Sequence, residues 1–504
     1  MRRSTASQMR TYIVGSGALL AALAAIVAGA GPGAATTAAS ALPQAVRAPG
    51  GPVAAKDASF DCQAPDATLH CYSPAQIRAE YGVNGISEKG DGQTIVLVDS
   101  YGSPTAAQDL QTFHDTFFPS EPNPSFEQVV QGPTGFSNSN GNGKSGSAGA
   151  AGWSGEATLD IEWAYAIAPH AHIVLLGVPP AETEGVQGFP NLFKAISDAI
   201  TKYPAGTVFS MSFGVTEQTF GGAASGQTAK FDSVFQQGIA KGDTFFVATG
   251  DNGTLGTAKQ QKNAATYAFP TAGWPASSPY VTAVGGTQLQ DGWSWAPTSD
   301  VPILADGSFN PAYFSATAGG DANYVWNESW LPAASGGGPS AIYPRPSWQT
   351  GVLPGAGNHR LVPDVAWNAA VNGGVLVYIS AYPDYNGPAG FYIYGGTSAA
   401  TPQVAALTAL ANERRAASLK PPIGNANPAI YGSGGSWFHD VAPITQGTAA
   451  SGQLVNNRDW DFKGPGQAVT PDPVPGWPTT TGFDLTTGWG TPWAPSYVAG
   501  LAAA

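Results

Sequence analysis

Five strand-length runs in this sequence are apolar almost throughout, and stretches of helical character separate most of them. They are "TIVLVD" (94–99), "HIVLLGV" (172–178), "GTVFSMSFG" (206–214), "TFFVATGDNG" (244–253) and "YVTAVGG" (280–286). A strand without polar alternation has no face to give to water, so it must be covered on both sides. The intervening "TAAQDLQTFHDTFF", "GEATLDIEWAYAIA", "FPNLFKAISDAI" and "AKFDSVFQQGIAKG" have the length and apolar spacing of helices. This alternation predicts an α/β fold: a doubly wound, mainly parallel sheet with helices on both faces. In such sheets the chemistry collects beyond the carboxyl ends of the strands. Asp99, Ser212 and Asp251 fall at such ends.

The rest of the chain is organised around that sheet. "MRRSTASQMR" carries three arginines and is followed by the uncharged "TYIVGSGALLAALAAIVAGAG". This is the pattern of a secretory signal peptide over residues 1–41. Residues 42–65 are rich in Pro, Ala and Gly and read as a linker or short pro-region. One large domain is expected over residues 66–504, opened by a short amphipathic helix at Ser73-Pro74. Residues 131–152 and 286–345 read as long loops. An exported chain makes a local disulfide between Cys62 and Cys71 the expected state. Two thiols do not complete a zinc site, and His70 beside them is read as incidental. "NES" at 327–329 is a glycosylation acceptor only in a host that modifies secreted proteins this way. The expectation is a secreted, extracellular monomer with no stable membrane association after signal cleavage.

Composition narrows the partners. Acidic residues outnumber basic ones 34 to 21, which argues against a nucleic-acid partner, since that would require a basic face. Charged residues make up 11% of the chain, against about a quarter in ordinary domains. With few cations, protonating the carboxylates creates little positive self-repulsion, which suits work in acid.

Three short motifs carry candidate chemistry. "YGGTSAATP" (394–402) places Thr397 and Ser398 at the head of a buried helix. They either cap it, or present a nucleophile where helix N–H groups stabilise negative charge. Glu156 and Asp160 lie four residues apart in "SGEATLDIEWAYAIAP". They differ by about 40° around the helix and share a face, so each perturbs the other's ionisation. Glu162 projects from nearly the opposite side. Ser154 is an alternative cap for this helix, with the acids complementing its dipole. Asp251, in "ATGDNG", ends a strand either as an Asx turn or as a functional acid.

In this order and with this spacing, the three motifs resemble those of the sedolisin (serine-carboxyl peptidase) family, which has a subtilisin-like fold. "SMSFG", "SGGGPSAIYPRPSWQ" and "RLVPDVAWNA" add to the resemblance, which spans roughly residues 66–498. It implies an acid-acting endopeptidase on polypeptide substrates. Ser398 would be the nucleophile, Glu156 the general base, and Asp160 its orienter. Asp251, protonated, would stabilise the oxyanion together with the Ser398 backbone N–H. Both roles favour low pH. A carboxylate base works near its own pKa, and only a neutral carboxyl donates to an oxyanion.

"WFHDVAPITQG" and "TTTGFDLTTGWGTP" resemble the two halves of the family's calcium site, within residues 437–492. The resemblance implies one Ca²⁺, held by the side chains of Asp440 and Asp484 and the carbonyls of Val441, Thr480 and Gly482. An all-oxygen cage suits that hard cation. Thr480 stands where the family commonly has Gly, and Gly395 where it commonly has Ser. Family members usually carry a long prodomain, whereas only a short stretch separates the apolar run from the domain here. Two alternatives stand beside this reading. One is a Ser-His-Asp enzyme of subtilisin type, with Asp99 as triad acid, for which no histidine is suitably placed. The other is a non-catalytic secreted binding protein on the same scaffold.

Overall fold

The structure, a computed structural model, describes residues 46–49, 51–56, 59–131, 146–178, 186, 188–220, 226–257, 266–441 and 455–504. The expected signal peptide, most of the loop at 131–152 and part of the first calcium segment lie outside these residues.

In chain order the elements that frame the site are β1 (Val46–Arg47), β2 (Cys71–Tyr72), α1 (Pro74–Glu80), β3 (Thr94–Asp99), α2 (Ala106–Phe117), β4 (Ser125–Val130), α3 (Gly146–Ile167), β5 (His172–Gly177), α4 (Phe189–Lys202), β6 (Val208–Met211), α5 (Gln227–Lys241), β7 (Thr244–Ala248), β8 (Thr282–Trp295), β9 (Ala316–Val325), β10 (Val365–Asn368), β11 (Gly374–Ile379), β12 (Gly390–Gly395), α6 (Thr397–Ala417) and α7 (Ala494–Ala503). The main sheet runs β4-β5-β3-β6-β7-β8-β9, and β10 also pairs with β8. Its pairs are parallel except that of β8 with β9. The expected α/β architecture is therefore present.

Alternate residues of β3 serve opposite faces. Ile95 and Leu97 join the core under α2, α3 and α6. Val96 and Val98 join the core under α4 and α5. Helices α3 and α6 pack on each other and are buried nearly all round. That matches sequences rich in Ala with no sustained polar face. The winding reverses between β3 and β6, and the crevice beyond their carboxyl ends is where the site forms.

Three readings are corrected. The stretch read as irregular loop from residue 286 is largely sheet: β8 runs on to Trp295 and pairs antiparallel with β9. The loop expected over 131–152 gives way at Gly146 to the first turns of α3. Part of the stretch read as linker is built into a second sheet, ordered β1-β12-β11-β2. The Cys62–Cys71 disulfide is formed. The His70 ring stacks on Trp293 with centroids 3.9 Å apart.

Candidate active site

Helix α3 brings its acids to the sheet's carboxyl edge. Carboxylate oxygens of Asp99, Glu156 and Asp160 lie within 4.8 Å of one another, and all three side chains are buried. Among the described residues this is the one cluster of three or more potential metal-ligating side chains. Burial, then the charges of Asp99 and Glu156, push Asp160 well above the usual carboxylate range; the Ser212 hydroxyl opposes that shift. Burial also raises Asp99. Asp99 and Ser212 come from the ends of adjacent strands, β3 and β6. Sequence reading noted Asp99 at its strand end but assigned it only to the rival triad. Its place in the acid cluster depends on α3 packing over β3.

Glu162 stands apart, as expected, accepting from the Tyr378 N–H at 3.0 Å. Ser154 does not cap α3, which starts upstream of it; its hydroxyl donates to the Ala151 carbonyl at 2.7 Å.

Ser398 lies in the first turn of α6, after Gly396, whose φ of 97° is in the left-handed region. Its N–H is one of those a helix start leaves without an intrahelical acceptor. The Ser398 Oγ is buried and has no hydrogen-bond partner among the described residues. Pro402, four residues on, brings no N–H for the Ser398 carbonyl. The preceding residue is tied to the third acid. Thr397 donates to Asp251 Oδ1 through both its N–H and its Oγ1, each at 2.8 Å. Thr397 Oγ1 in turn accepts from the Gly250 N–H at 3.1 Å. Asp251 Oδ2 is buried without a partner among the described residues. Burial pushes the Asp251 carboxyl up to about 7, against the pull of the two Thr397 hydrogen bonds. The "SGGGP" segment braces this turn: Ala334 N–H donates to Asp251 O and Gly336 N–H to Gly250 O.

All six histidines are in view, and none hydrogen-bonds Ser398 or Asp99. His114 is bonded to the Tyr165 hydroxyl, His170 to Asp91 and Glu121, and His172 to Ser125. His70 and His439 stack on tryptophans, and His359 is exposed. Asn327 of the "NES" sequon is buried. Its amide donates to the Asn456 and Arg458 carbonyls and accepts from Trp460 Nε1, which leaves no room for a glycan in the folded chain.

The calcium candidates are joined in part. The Gly482 N–H donates to Asp440 Oδ2 at 2.8 Å, and the Thr480 N–H to Asp484 Oδ2 at 2.9 Å. Asp484 Oδ1 is saturated by the N–H and hydroxyl groups of Thr486 and Thr487, so Oδ2 is its one oxygen with capacity for a cation. Val441 is buried beside Asp440, and the chain that follows it lies outside the described residues.

The subtilase family model matches residues 90–423. Kumamolisin of Bacillus sp. (strain MN-32) is 29% identical over 419 residues, 81% of this chain and 63% of the relative. Sedolisin of Pseudomonas sp. (strain 101) is 31% identical over 288 residues, 55% of this chain and 41% of the relative. The chain thus spans less than two thirds of the length of either. Among solved structures, Pseudomonas sedolisin (serine-carboxyl proteinase), complexed with two molecules of pseudo-iodotyrostatin, is similar with a TM-score of 0.59 at 25% identity. That likeness covers 86% of this chain and 98% of that one.

Proposed function

Because the chain belongs to the subtilase family and is similar to kumamolisin and sedolisin, we propose that it is a secreted, acid-acting serine-carboxyl endopeptidase. Glu156 takes the proton of the Ser398 hydroxyl as Oγ attacks the peptide carbonyl. Asp160 orients Glu156 from one turn away, and Asp99 closes the acid cluster behind it. The tetrahedral oxyanion accepts hydrogen bonds from the Ser398 N–H and from the neutral carboxyl of Asp251. Protonated Glu156 then gives its proton to the leaving amine, which departs and leaves an acyl group on Ser398. Water, deprotonated by the same glutamate, hydrolyses that ester and regenerates the serine.

The observation that carries this reading is the anchorage of Asp251. One oxygen is saturated by Thr397 next to the nucleophile, the other is buried without a partner among the described residues, and burial raises the carboxyl toward neutrality. A carboxyl held neutral in that place is a donor, which an oxyanion needs and a carboxylate cannot supply.

The test is incubation of a denatured protein with the enzyme at about pH 4. Wild type is expected to release peptides, and Ser398→Ala to release none. No release by correctly folded wild type would favour the non-catalytic binder. Secretion is tested by finding the chain in the medium with its N-terminus beyond the signal. A monomer is the expected oligomeric state.

We further propose one Ca²⁺ held by Asp440, Asp484 through Oδ2, and the carbonyls of Val441, Thr480 and Gly482. Two carboxylates plus neutral oxygens fit a hard cation. The ion would act structurally, tying together two segments separated along the chain. Chelation is therefore expected to lower Tm, and calcium to restore it. At a hundredfold excess over Kd the stabilisation amounts to about 2.7 kcal/mol. Asp440→Ala should lose the calcium response; a response kept by that variant would remove Asp440 from the site.

A further inference from the structure

The N-terminal segment clasps the hairpin that leads into the nucleophile. Strand β1 pairs antiparallel with β12, with Val46 opposite Gly395 and Arg47 opposite Tyr394. Beyond it, the Ala48 N–H donates to the Ile393 carbonyl at 2.9 Å and the Val53 N–H to the Phe391 carbonyl at 2.8 Å. On the hairpin's other edge, β2 pairs parallel with β11, and Cys71 of β2 is bridged back to Cys62. One segment therefore holds both edges of β11–β12, and the Cys62–Cys71 bridge closes the loop that leads into β2. The clasping strand carries Arg47, whose side chain turns onto the Asn386 carbonyl and the Tyr392 ring.

Arg47 reaches helix α3 along two routes. Its Nη1 donates to the Asn386 carbonyl at 2.7 Å, and the Asn386 amide donates to the Ala151 carbonyl and Ser154 Oγ, both at 3.2 Å. Its guanidinium lies 4.8 Å from the Tyr392 ring centroid and also meets the hydroxyl of Tyr394. That hydroxyl stands 2.6 Å from where a β-carbon at Gly155 would be, so only glycine lets the phenol abut the helix there. Tyr394 is buried, the next residue after Gly155 is Glu156, and the two side chains are in electrostatic reach of each other.

We propose that Arg47 and Tyr394 are positioning residues for the general base: the N-terminal strand presses the Tyr394 phenol against α3 at Gly155 and so fixes the direction of Glu156. This rests on the reading of Glu156 as base. It makes the chain before α1 part of the working enzyme, not a spacer.

The experiment measures kcat and KM for full-length wild type, Arg47→Ala, Tyr394→Phe, the double variant and Arg47→Lys, with thermal melts at the assay pH. Each single variant is expected to lose about tenfold in kcat with KM within about twofold, because a misaimed base slows chemistry without weakening binding. The double variant is expected to be no worse than the worse single, since both act through one contact chain. Arg47→Lys should recover most of the Arg47→Ala loss. Unchanged kcat in folded Tyr394→Phe, losses that multiply in the double variant, or an effect on KM alone would each overturn the proposal. If Arg47→Ala does not fold, Tyr394→Phe decides, because it deletes a single oxygen. Wild-type kcat in Glu156→Gln would instead remove the base assignment itself, so the two failures are told apart.

Discussion

Glu156→Gln is expected to lower kcat/KM by about 10⁴-fold at the acid optimum while leaving the chain folded. The amide keeps the shape of the side chain and one acceptor oxygen but cannot take the Ser398 proton. No histidine stands by as a substitute, because each imidazole is engaged or exposed elsewhere. The stability of the same variant moves the other way. Asp99, Asp160 and Glu162 are held above the ordinary carboxylate range mainly by burial. The folded chain thus keeps protons that the unfolded chain releases. The contribution of these groups to stability is greatest in acid and falls as pH rises through the raised values. Glu156 adds to the like-charge repulsion on Asp160. Replacing it by a neutral amide is therefore expected to leave Tm unchanged near pH 4 and to raise it at pH 7. Paired kinetics and melts at the two pH values check both halves. A variant that is dead because it is unfolded would show no cooperative melt at either pH.

This division between chemistry and stability also marks what the sequence discloses. The central strands were readable because burial on both sides forbids polar alternation, and β3, β5, β6 and β7 all obey that rule. The second half of β8, "TQLQDGWSW", and its partner β9, "ATAGGDANYV", obey a different one. They form an antiparallel extension in which one strand is mostly exposed and rich in Gly, so neither period nor propensity announces it. The start of α3 hides for a similar reason. "GSAGAAGW" has poor intrinsic helix propensity, and the helix gains its stability from packing on its neighbours. The Glu156–Asp160 pair was visible because i,i+4 spacing is a local fact. The approach of Asp99 is not local: it follows from the packing of α3 over β3, far from it in sequence. The pairing of Arg47 with Tyr394 is farther still from view, joining residues far apart in sequence through a segment whose composition reads as linker.

Asp251→Ala is expected to cost about 10²–10³-fold in kcat, whereas Asp251→Asn should stay within about tenfold of wild type in acid. The difference follows from how the carboxyl is used. Oδ1 is an acceptor for Thr397 N–H and Oγ1, so the other position must supply the donor. In asparagine the carbonyl oxygen keeps the two Thr397 bonds and the NH₂ takes the place of the protonated Oδ2. Alanine supplies neither. The pH dependence separates the variants further. Burial places the wild-type carboxyl near 7, so below that value it is neutral and donates, and above it the carboxylate repels the oxyanion. Wild-type activity should therefore fall as pH rises through about 7, and this limb should be absent from the Asn variant, whose donor does not titrate. Measuring kcat from pH 3 to 9 for the three proteins decides the matter. An alkaline limb that persists unchanged in Asp251→Asn would assign it to another group and strip Asp251 of the donor role. A full loss in Asn equal to that in Ala would mean the site needs a transferable proton there and not merely a hydrogen-bond donor.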